Sequence, residues 1–149
     1  MTATATLLID SHEPPQVRAL GAPGTDIERR YGADIVIVRP GGGIAVVIQR
    51  KTPADLFASW ADGRLLRQIR QLREVPLAYL LLEGHARWTG DGRLLTDGAP
   101  PPFWVVRHRT DWWAALDAAY EAGVRVVQVR DMDETLAWLR FQASTIEGR

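Results

Sequence analysis

The sequence contains no cysteine and only one lysine, Lys51, among its 18 basic residues. The lack of cysteine excludes disulfides and thiolate metal sites, and it is typical of proteins that work in a reducing compartment. No apolar run approaches the roughly 18 residues that a membrane-spanning helix needs, and the N-terminal segment lacks the pattern of a signal peptide. We therefore expect a cytoplasmic protein with no membrane partner.

The charges also lack a dominant sign, because 18 basic residues balance 18 acidic ones. Binding to nucleic acid would therefore require a local basic patch. With 149 residues, 46% of them hydrophobic, the chain is long enough for one domain with a substantial core. It ends in Ile-Glu-Gly-Arg, which is the recognition sequence of a protease used to remove fusion tags. We assign residues 1–143 to a single domain and interpret residues 144–149 as the remnant of such a cleavage site.

Apolar runs of strand length alternate with helix signals along the chain. Two β-branched runs around Pro-Gly-Gly-Gly predict a hairpin at residues 34–51. Thr52, Pro53 and Asp55 then supply the N-cap, the first position and the first-turn acid of a helix, and Thr110 is predicted to cap a later one. Further strands are predicted at residues 5–10, 77–84 and 124–129, and further helices at residues 25–31, 111–122 and 131–143. The sum is an α/β fold with a central mixed β-sheet flanked by helices.

The hairpin brings polar side chains together at its open end. A turn centred in the triple-glycine run places Asp34 directly across from Gln49, with Cβ atoms about 4.5–5.5 Å apart. Because side chains alternate along a strand, Gln49 and Lys51 share a face and Arg50 points away from it. Oxygen ligands here would suit a hard cation such as Mg²⁺, and the ammonium would offset charge on a phosphoryl group. The alternative is that Asp34 and Lys51 only form an ion pair at a strand end.

These motifs resemble the nuclease domain of the XPF-type structure-specific endonucleases, within the PD-(D/E)XK superfamily. That family has Gly-Asp at the start of one strand and Glu-Arg-Lys-x-x-x-Asp on the next. The sequence has Ala33-Asp34, then Gln49-Arg50-Lys51 with Asp55 at the matching offset. The segments "DGRLLRQ", "AGVRVVQVRDMDETLAWLR" and "IDSHE", the last in place of Asp-x-Arg-Glu, are also similar to the family. The resemblance covers residues 5–142 and implies a restriction-endonuclease-like core.

The resemblance implies a metal-dependent endonuclease that hydrolyses phosphodiester bonds in branched DNA, such as a flap, a fork or a Holliday junction. It also implies a homodimer that uses Mg²⁺ or Mn²⁺. It assigns metal binding to Asp34, Gln49 and the main-chain carbonyl of Arg50. It assigns catalysis to Lys51, and it places three acids around the same site: Asp10, Glu13 and Asp55. The alternative for Asp55 is a helix-capping role. A compact ammonium at the site explains why position 51 is lysine in a chain that otherwise uses arginine.

The family has Glu where this sequence has Gln49. Three explanations stay open: an engineered Glu→Gln substitution that traps an inactive enzyme, a natural variant that is active with glutamine, and a natural nuclease-like protein that only binds DNA. The cleavage-site remnant favours the first. The retained lysine and acids favour an enzyme over a catalytically silent DNA-binding or scaffold subunit. A third class is an α/β interaction domain whose Asp34–Lys51 pair is structural.

Polar side chains form a stripe on the helix that follows the motif. We predict that four of them contact the phosphates of a DNA backbone: Arg64, Arg67, Gln68 and Gln71. The alternative is an ordinary solvated helix face.

The last two predicted helices are rich in tryptophan and other aromatic residues. Core packing explains most of them, and any aromatic surface left exposed would suit an isologous dimer interface.

Overall fold

The computed structural model describes residues 4–95 and 108–147. Its strands are β1 (Thr6–Ile9), β2 (Ala22–Pro23), β3 (Ile35–Val38), β4 (Ile44–Lys51), β5 (Ala78–Glu83), β6 (Arg87–Trp88), β7 (Leu94–Leu95) and β8 (Arg125–Val129). Its helices are α1 (Pro15–Arg18), α2 (Ile27–Tyr31), α3 (Pro53–Ala61), α4 (Arg64–Leu72), α5 (Arg109–Glu121) and α6 (Met132–Glu147). The proline-rich segment at residues 99–102 lies outside the described residues.

A central sheet holds six strands in the order β2–β1–β3–β4–β5–β8, and β6 pairs with β7 in a separate small hairpin. In the central sheet, β3 pairs antiparallel with β1 and β4, whereas β5 pairs parallel with β4 and β8. The long apolar run of β5 therefore has a neighbour on each side, as a fully buried strand requires. This confirms the predicted mixed sheet flanked by helices. No helix within the two described ranges is long and apolar enough to cross a membrane.

Each face of the sheet has its own hydrophobic core. Helices α3, α4 and α5 cover one face, where Leu56, Leu65 and Trp112 are buried. Helix α6 covers the other face, where Leu139 and Ile146 join a second buried cluster. Because successive side chains of a strand point to opposite faces, the central strands contribute to both cores. A polar side chain at a strand end therefore lies on the same face of the sheet as the buried side chain two residues away.

The β3–β4 hairpin has the predicted register at its open end. Ile35 lies opposite Ile48, so the next residues outward are Asp34 and Gln49. A register shift after Ile37 changes the pairing by one residue near the turn, where it does not affect the open end. All three glycines of the turn have positive φ values, between 87° and 102°. Glycine adopts this backbone conformation without steric cost, which is why the run forms a turn.

Two short elements were not predicted, and one predicted cap was wrong. The helix α1 and the edge strand β2, which pairs parallel with β1, lie between β1 and α2. The N-cap of α5 is His108, not Thr110, because the His108 ring nitrogen Nδ1 accepts a hydrogen bond from the main-chain N–H of Thr110 at 3.2 Å.

Helix α6 does not end at residue 143. It continues to Glu147, whose Oε1 accepts a hydrogen bond from the N–H of Ala5 at 3.0 Å, and Ile146 is 4% exposed. Residues 144–147 are thus part of a packed helix. Their interpretation as a cleavage-site remnant stays a prediction about origin.

Candidate active site

The candidate site lies where β1, β3 and β4 end side by side. The main-chain N–H of Asp10 donates to the carbonyl of Asp34 at 2.8 Å, one residue beyond the last β1–β3 pair. Val36 and Val47, each two residues from a site residue, belong to the core under α3 and α4. Because side chains two apart on a strand share a face, Asp34 and Gln49 point to that same face. The strand ends thus bring an acid from β3 and an amide from β4 next to Asp10.

Asp34 makes its closest contacts with the end of β4. Its Oδ2 accepts hydrogen bonds from Gln49 Nε2 at 2.7 Å and from the main-chain N–H of Arg50 at 2.9 Å. These bonds confirm the predicted contact between Asp34 and Gln49. The amide of Gln49 presents its N–H side to the carboxyl, so its oxygen Oε1 faces elsewhere. A glutamate at this position could not donate that bond unless it were protonated.

The pKa values of Asp34 and Lys51 are both shifted toward the uncharged form of the side chain. Burial, together with the nearby Glu13 carboxylate, raises the pKa of Asp34 to about 8, although the N–H of Arg50 and the Lys51 ammonium act in the opposite direction. Burial also lowers the pKa of Lys51, against the attraction of Asp34. Lys51 is 6% exposed, and within residues 4–95 and 108–147 its ammonium makes no hydrogen bond or ion pair. Its ammonium is therefore available to an anionic ligand.

The side chains surround a pocket of about 230 Å³ at the open end of the hairpin. All of the predicted catalytic residues line it: Lys51, Asp10, Glu13 and Asp55. Asp55 is exposed on the first turn of α3, where its N–H donates to Thr52 Oγ1 at 3.3 Å. The predicted cap is thus present, and the Asp55 carboxylate still borders the pocket.

Arg50 points away from Asp34, as the alternation predicts. Its guanidinium binds Glu13 Oε2 at 2.8 Å and Glu83 Oε2 at 2.9 Å. The other oxygen of Glu83 accepts a hydrogen bond from Thr135 Oγ1 of α6 at 2.7 Å. This chain of contacts ties Glu13 to the end of β5 and to the helix on the opposite face of the sheet. Sequence analysis did not identify Glu83 or Thr135.

The residues of the pocket fit a divalent cation with oxygen ligands. Glu13 Oε1 and Gln49 Oε1 are buried and lack a hydrogen-bond partner among the described residues, and both side chains line the pocket with Asp34. Buried oxygens without a partner are rare in proteins and call for a cation or an ordered water. Asp34, Gln49 and the main-chain carbonyl of Arg50 could hold Mg²⁺ or Mn²⁺ once the Gln49 amide turns its oxygen inward.

A larger groove of about 810 Å³ continues from the pocket along α2 and α4. Arg64 lines both spaces, and Arg67 lies farther along the groove; both side chains are exposed. Arg29 of α2 and Arg70 of α4 extend the basic wall. Sequence analysis missed Arg29 because its place depends on how α2 packs against α4. Three acids, Asp10, Asp26 and Glu28, also line the groove, so its basic character is confined to the wall that carries the arginines.

Two of the predicted DNA-binding residues lie deeper than expected. Gln68 is only 8% exposed, and its Oε1 has no hydrogen-bond partner within the described part of the chain. Gln71 Nε2 donates to the main-chain carbonyl of Arg29 at 2.5 Å. Both border the groove, but Gln71 also joins α4 to α2. The exposed arginines are better placed than these amides to meet a phosphate backbone.

The chain matches the family model of the ERCC4 domain over residues 9–141. No curated protein sequence matches it. Its fold is similar to that of XPF from Aeropyrum pernix in complex with DNA, with a TM-score of 0.63 and 21% sequence identity over 94% of this chain and 64% of that chain. A second structure, XPF from Aeropyrum pernix, has a TM-score of 0.60 and 19% identity over 93% of this chain and 65% of that chain.

The chain therefore spans slightly less than two thirds of the length of these XPF structures. Its mixed sheet, flanked by helices, is the restriction-endonuclease-like core of an XPF nuclease domain. Because the ERCC4 model matches most of the sequence, the chain belongs to the ERCC4 domain family, and its fold is that of the XPF structures.

Proposed function

We propose that the chain is a divalent-metal-dependent endonuclease that hydrolyses phosphodiester bonds in branched DNA. The observation that carries the proposal is the meeting of Asp34, Gln49 and Lys51 in a pocket that opens into an arginine-lined groove. Oxygen ligands for a cation, together with an ammonium, can stabilise the charge on the phosphate that reacts. The arginines can bind the neighbouring phosphates of the same DNA strand. A similar structure, XPF from Aeropyrum pernix, is a complex with DNA, which supports a DNA substrate.

In this proposal, Asp34, Gln49 and the carbonyl of Arg50 hold Mg²⁺ or Mn²⁺. Such an ion, when bound, makes a water molecule more acidic and offsets phosphate charge. The buried ammonium of Lys51 stabilises the negative charge that develops on the phosphoryl oxygens, and low solvent access strengthens this effect. Asp10 and Asp55 also line the pocket, where their carboxylates can orient the attacking water.

The substrate preference follows from the groove. Exposed Arg64 and Arg67 give it a basic wall that leads directly to the pocket. A strand that follows this wall would enter the pocket at one end, which suits DNA that opens or branches near the cut. A fork, a flap and a Holliday junction all provide this feature.

We also propose that two copies of the chain form a homodimer. Trp113 and Tyr120 on α5 are 55% and 59% exposed, and Phe141 on α6 is 54% exposed. Aromatic side chains are enriched at protein interfaces and suit a self-complementary contact. Light scattering at micromolar concentration should give the mass of a dimer. A monomer mass would contradict the proposal.

The second candidate function is a catalytically silent subunit that binds DNA with the same groove. The hydrogen bond from Gln49 to Asp34 favours it, because the amide satisfies the carboxyl without a cation. The same bond is also what an engineered Glu→Gln substitution would produce in an enzyme. Only an assay of the Gln49→Glu variant separates these two cases.

Cleavage of a labelled fork and a labelled four-way junction, with Mg²⁺ or Mn²⁺, tests both functions. Four proteins are compared: the chain itself, Gln49→Glu, Gln49→Glu with Lys51→Ala, and Gln128→Glu as an exposed glutamine control. Cleavage by Gln49→Glu that is lost on adding Lys51→Ala supports the nuclease and the role of lysine. Cleavage by the unchanged chain means that glutamine is a working ligand. Binding without cleavage by all four proteins supports the silent subunit.

A further inference from the structure

We infer that Thr135, on the face of the sheet opposite the pocket, is a positioning residue for the candidate active site. Its hydroxyl fixes the carboxylate of Glu83, and Glu83 fixes the guanidinium of Arg50. Arg50 in turn holds Glu13 at the pocket. The consequence for metal binding rests on the proposed function, whereas the contacts themselves are present in the metal-free chain and can be measured there.

Thr135 reaches the end of β5 because β8 leads directly into α6. Glu83, the last residue of β5, lies opposite Val129, the last residue of β8, and α6 begins at Met132. The main-chain N–H of Thr135 donates to the carbonyl of Asp131 at 3.0 Å, which fixes its place in the first turn of the helix. From there its Oγ1 donates to Glu83 Oε1 at 2.7 Å. The pairing of two neighbouring strands thus brings the helix and the carboxylate together.

The hydroxyl of Thr135 lies in surroundings that would accept an apolar side chain. Thr135 is 0% exposed, and Leu139, one turn later on α6, is also 0% exposed. Valine has nearly the same volume without a polar atom, and a buried hydroxyl costs free energy unless it is hydrogen-bonded. A threonine within a helix can satisfy its hydroxyl at the carbonyl four residues earlier, but Thr135 donates to Glu83 instead. The contact with Glu83 therefore accounts for a hydroxyl at this position.

Glu83 connects the helix to Arg50 because both of its carboxylate oxygens are used. Oε1 accepts the bond from Thr135, and Oε2 accepts one from Nη1 of Arg50 at 2.9 Å. The side chain of Glu83 is 14% exposed, so water competes little for these oxygens. Two fixed oxygens define the plane of the carboxylate, and that plane determines where the guanidinium binds.

Arg50 acts on both faces of the sheet at the end of β4. Its Nε and Nη2 donate to Glu13 Oε2 at 3.0 and 2.8 Å, so each of its three guanidinium nitrogens contacts a carboxylate. Its main-chain N–H donates to Asp34 Oδ2 at 2.9 Å. One residue thus orients Glu13 with its side chain and Asp34 with its backbone. A less firmly held guanidinium should loosen both carboxyl groups of the pocket.

Proton exchange at the Nε–H of Arg50 tests the inference without metal, because this N–H is protected only while the guanidinium stays on Glu13. NMR in EDTA gives the rate, and the signal is the one that Arg50→Lys removes. Thr135→Val removes the hydroxyl at nearly constant volume, and Thr135→Ser keeps it. Thr145→Val is the matched control, since Thr145 lies on the same helix and donates to the carbonyl of Phe141. Circular dichroism and urea unfolding verify that each variant is folded.

Thr135→Val should speed this exchange about tenfold, since a hydrogen bond to a charged group changes an equilibrium by about that factor or more. Thr135→Ser and Thr145→Val should exchange at the rate of the unchanged chain. Glu83→Gln should also speed the exchange, and adding Thr135→Val to it should have little further effect, because the two side chains act as a unit. Equal rates in Thr135→Val and the unchanged chain would overturn the inference. An undiminished effect of Thr135→Val in the Glu83→Gln background would overturn it as well.

Calorimetry with Mn²⁺ on the same proteins separates positioning from a purely structural role. Thr135→Val should weaken Mn²⁺ binding about threefold to tenfold, which is less than the loss of a partner that contacts a metal ligand directly. Thr135→Ser should restore the affinity. An unchanged Mn²⁺ affinity in Thr135→Val would mean that the bond serves stability alone, and the positioning role would be wrong. If the unchanged chain bound no Mn²⁺, the metal-dependent function would fail, and the exchange rates would still decide the inference.

Discussion

Gln49 donates its amide N–H to Asp34 Oδ2 at 2.7 Å, across the open end of the β3–β4 hairpin. This bond stabilises the metal-free site, because the Gln49 amide supplies a hydrogen-bond donor that a carboxylate lacks. It also leaves the Gln49 oxygen buried and without a partner among the described residues. A substitution of Gln49 by glutamate should therefore raise the affinity for a divalent cation and lower the stability of the metal-free protein.

Replacing Gln49 with glutamate should increase Mn²⁺ affinity about tenfold or more, because a charged oxygen ligand replaces a neutral one. The same change should lower the melting temperature in the presence of a chelator, since two carboxyl groups then meet without a donor between them. Calorimetry with Mn²⁺ and thermal unfolding in EDTA measure the two effects. Gln128→Glu, on the exposed face of β8, is the control and should change neither. An equal Mn²⁺ affinity for Gln49→Glu and the unchanged chain would argue against a metal at this position.

The pH dependence of stability should report the carboxyl of Asp34. Its pKa is raised from the ordinary value of 3.8 to about 8 in the metal-free folded chain. Between these values the folded chain keeps a proton that the unfolded chain releases, so the contribution is full below pH 4 and is lost as the pH rises to about 8. The slope for one proton is about 1.4 kcal/mol per pH unit at most. Asp34→Asn should remove this slope from the free energy of unfolding, measured with urea in EDTA from pH 5 to pH 8. Parallel pH profiles for the two proteins would show that Asp34 ionises normally.

The sequence predicted the pairing of Asp34 with Gln49 because short-range rules determine it. β-Branched residues fix the two strands, and the glycine run fixes the turn between them. The register shift after Ile37 was not foreseen, but it lies on the turn side and leaves the open end unchanged. Lys51 and Asp55 were accessible for the same reason, since they lie at the end of β4 and on the first turn after it. Asp10 and Glu13 were instead assigned from the family resemblance, because Glu13 lies in the loop between β1 and α1, which short-range rules do not position.

Features that depend on packing between distant segments could not be predicted from the sequence. Glu28 and Arg29 reach the groove only because α2 packs against α4, and a five-residue helix carries little periodic signal. Gln68 was expected on an exposed stripe, but the chain at Gly32 lies against its backbone and buries it. The two-residue strand β2 pairs along the edge of the sheet and contains a proline, so neither length nor composition indicated a strand.

Arg50 should be important for stability, because it neutralises the buried carboxylate of Glu13 and the half-buried carboxylate of Glu83. Arg50→Met keeps much of the side-chain volume and leaves Glu13 and Glu83 without their partner, which should cost about 3–5 kcal/mol. The matched control is Arg130→Met, which removes an exposed ion pair with Asp131 and should leave the free energy of unfolding nearly unchanged. Urea unfolding at pH 7 measures both. Equal losses in the two variants would mean that the Arg50 contacts contribute little in the folded chain.

The packing of α2 on α4 can be tested at glycine. Gly32 and Gly63 both have positive φ values, 67° and 82°. Their surroundings differ, because a Cβ at Gly32 would lie 2.7 Å from the carbonyl oxygen of Gln68, whereas a Cβ at Gly63 would meet no atom within 4 Å. Gly63→Ala should therefore cost only the conformational term, about 1–2 kcal/mol. Gly32→Ala should add the clash and cost about 2–4 kcal/mol in total. Thermal and urea unfolding compare the two. A loss at Gly32 no larger than at Gly63 would mean that α2 can move away from α4 without cost.

The arginines of the groove should determine how DNA binding depends on salt. Arg67 is exposed on the groove wall and lies away from the pocket that holds Lys51, so its removal should weaken binding without altering the metal site. Arg67→Ala should lower the affinity for a fork at each salt concentration. It should also reduce the slope of log affinity against log salt by about 1, because one fewer phosphate is neutralised.

The control for this measurement is Arg140→Ala, since Arg140 is exposed on α6, across the sheet from the groove. Fluorescence anisotropy with a labelled fork, in EDTA so that no cleavage occurs, gives both affinities over a range of salt concentrations. The control should have the slope of the unchanged chain. If Arg140→Ala reduced the slope and Arg67→Ala did not, the DNA would follow the α6 face, and the groove beside Asp34 would not be its path.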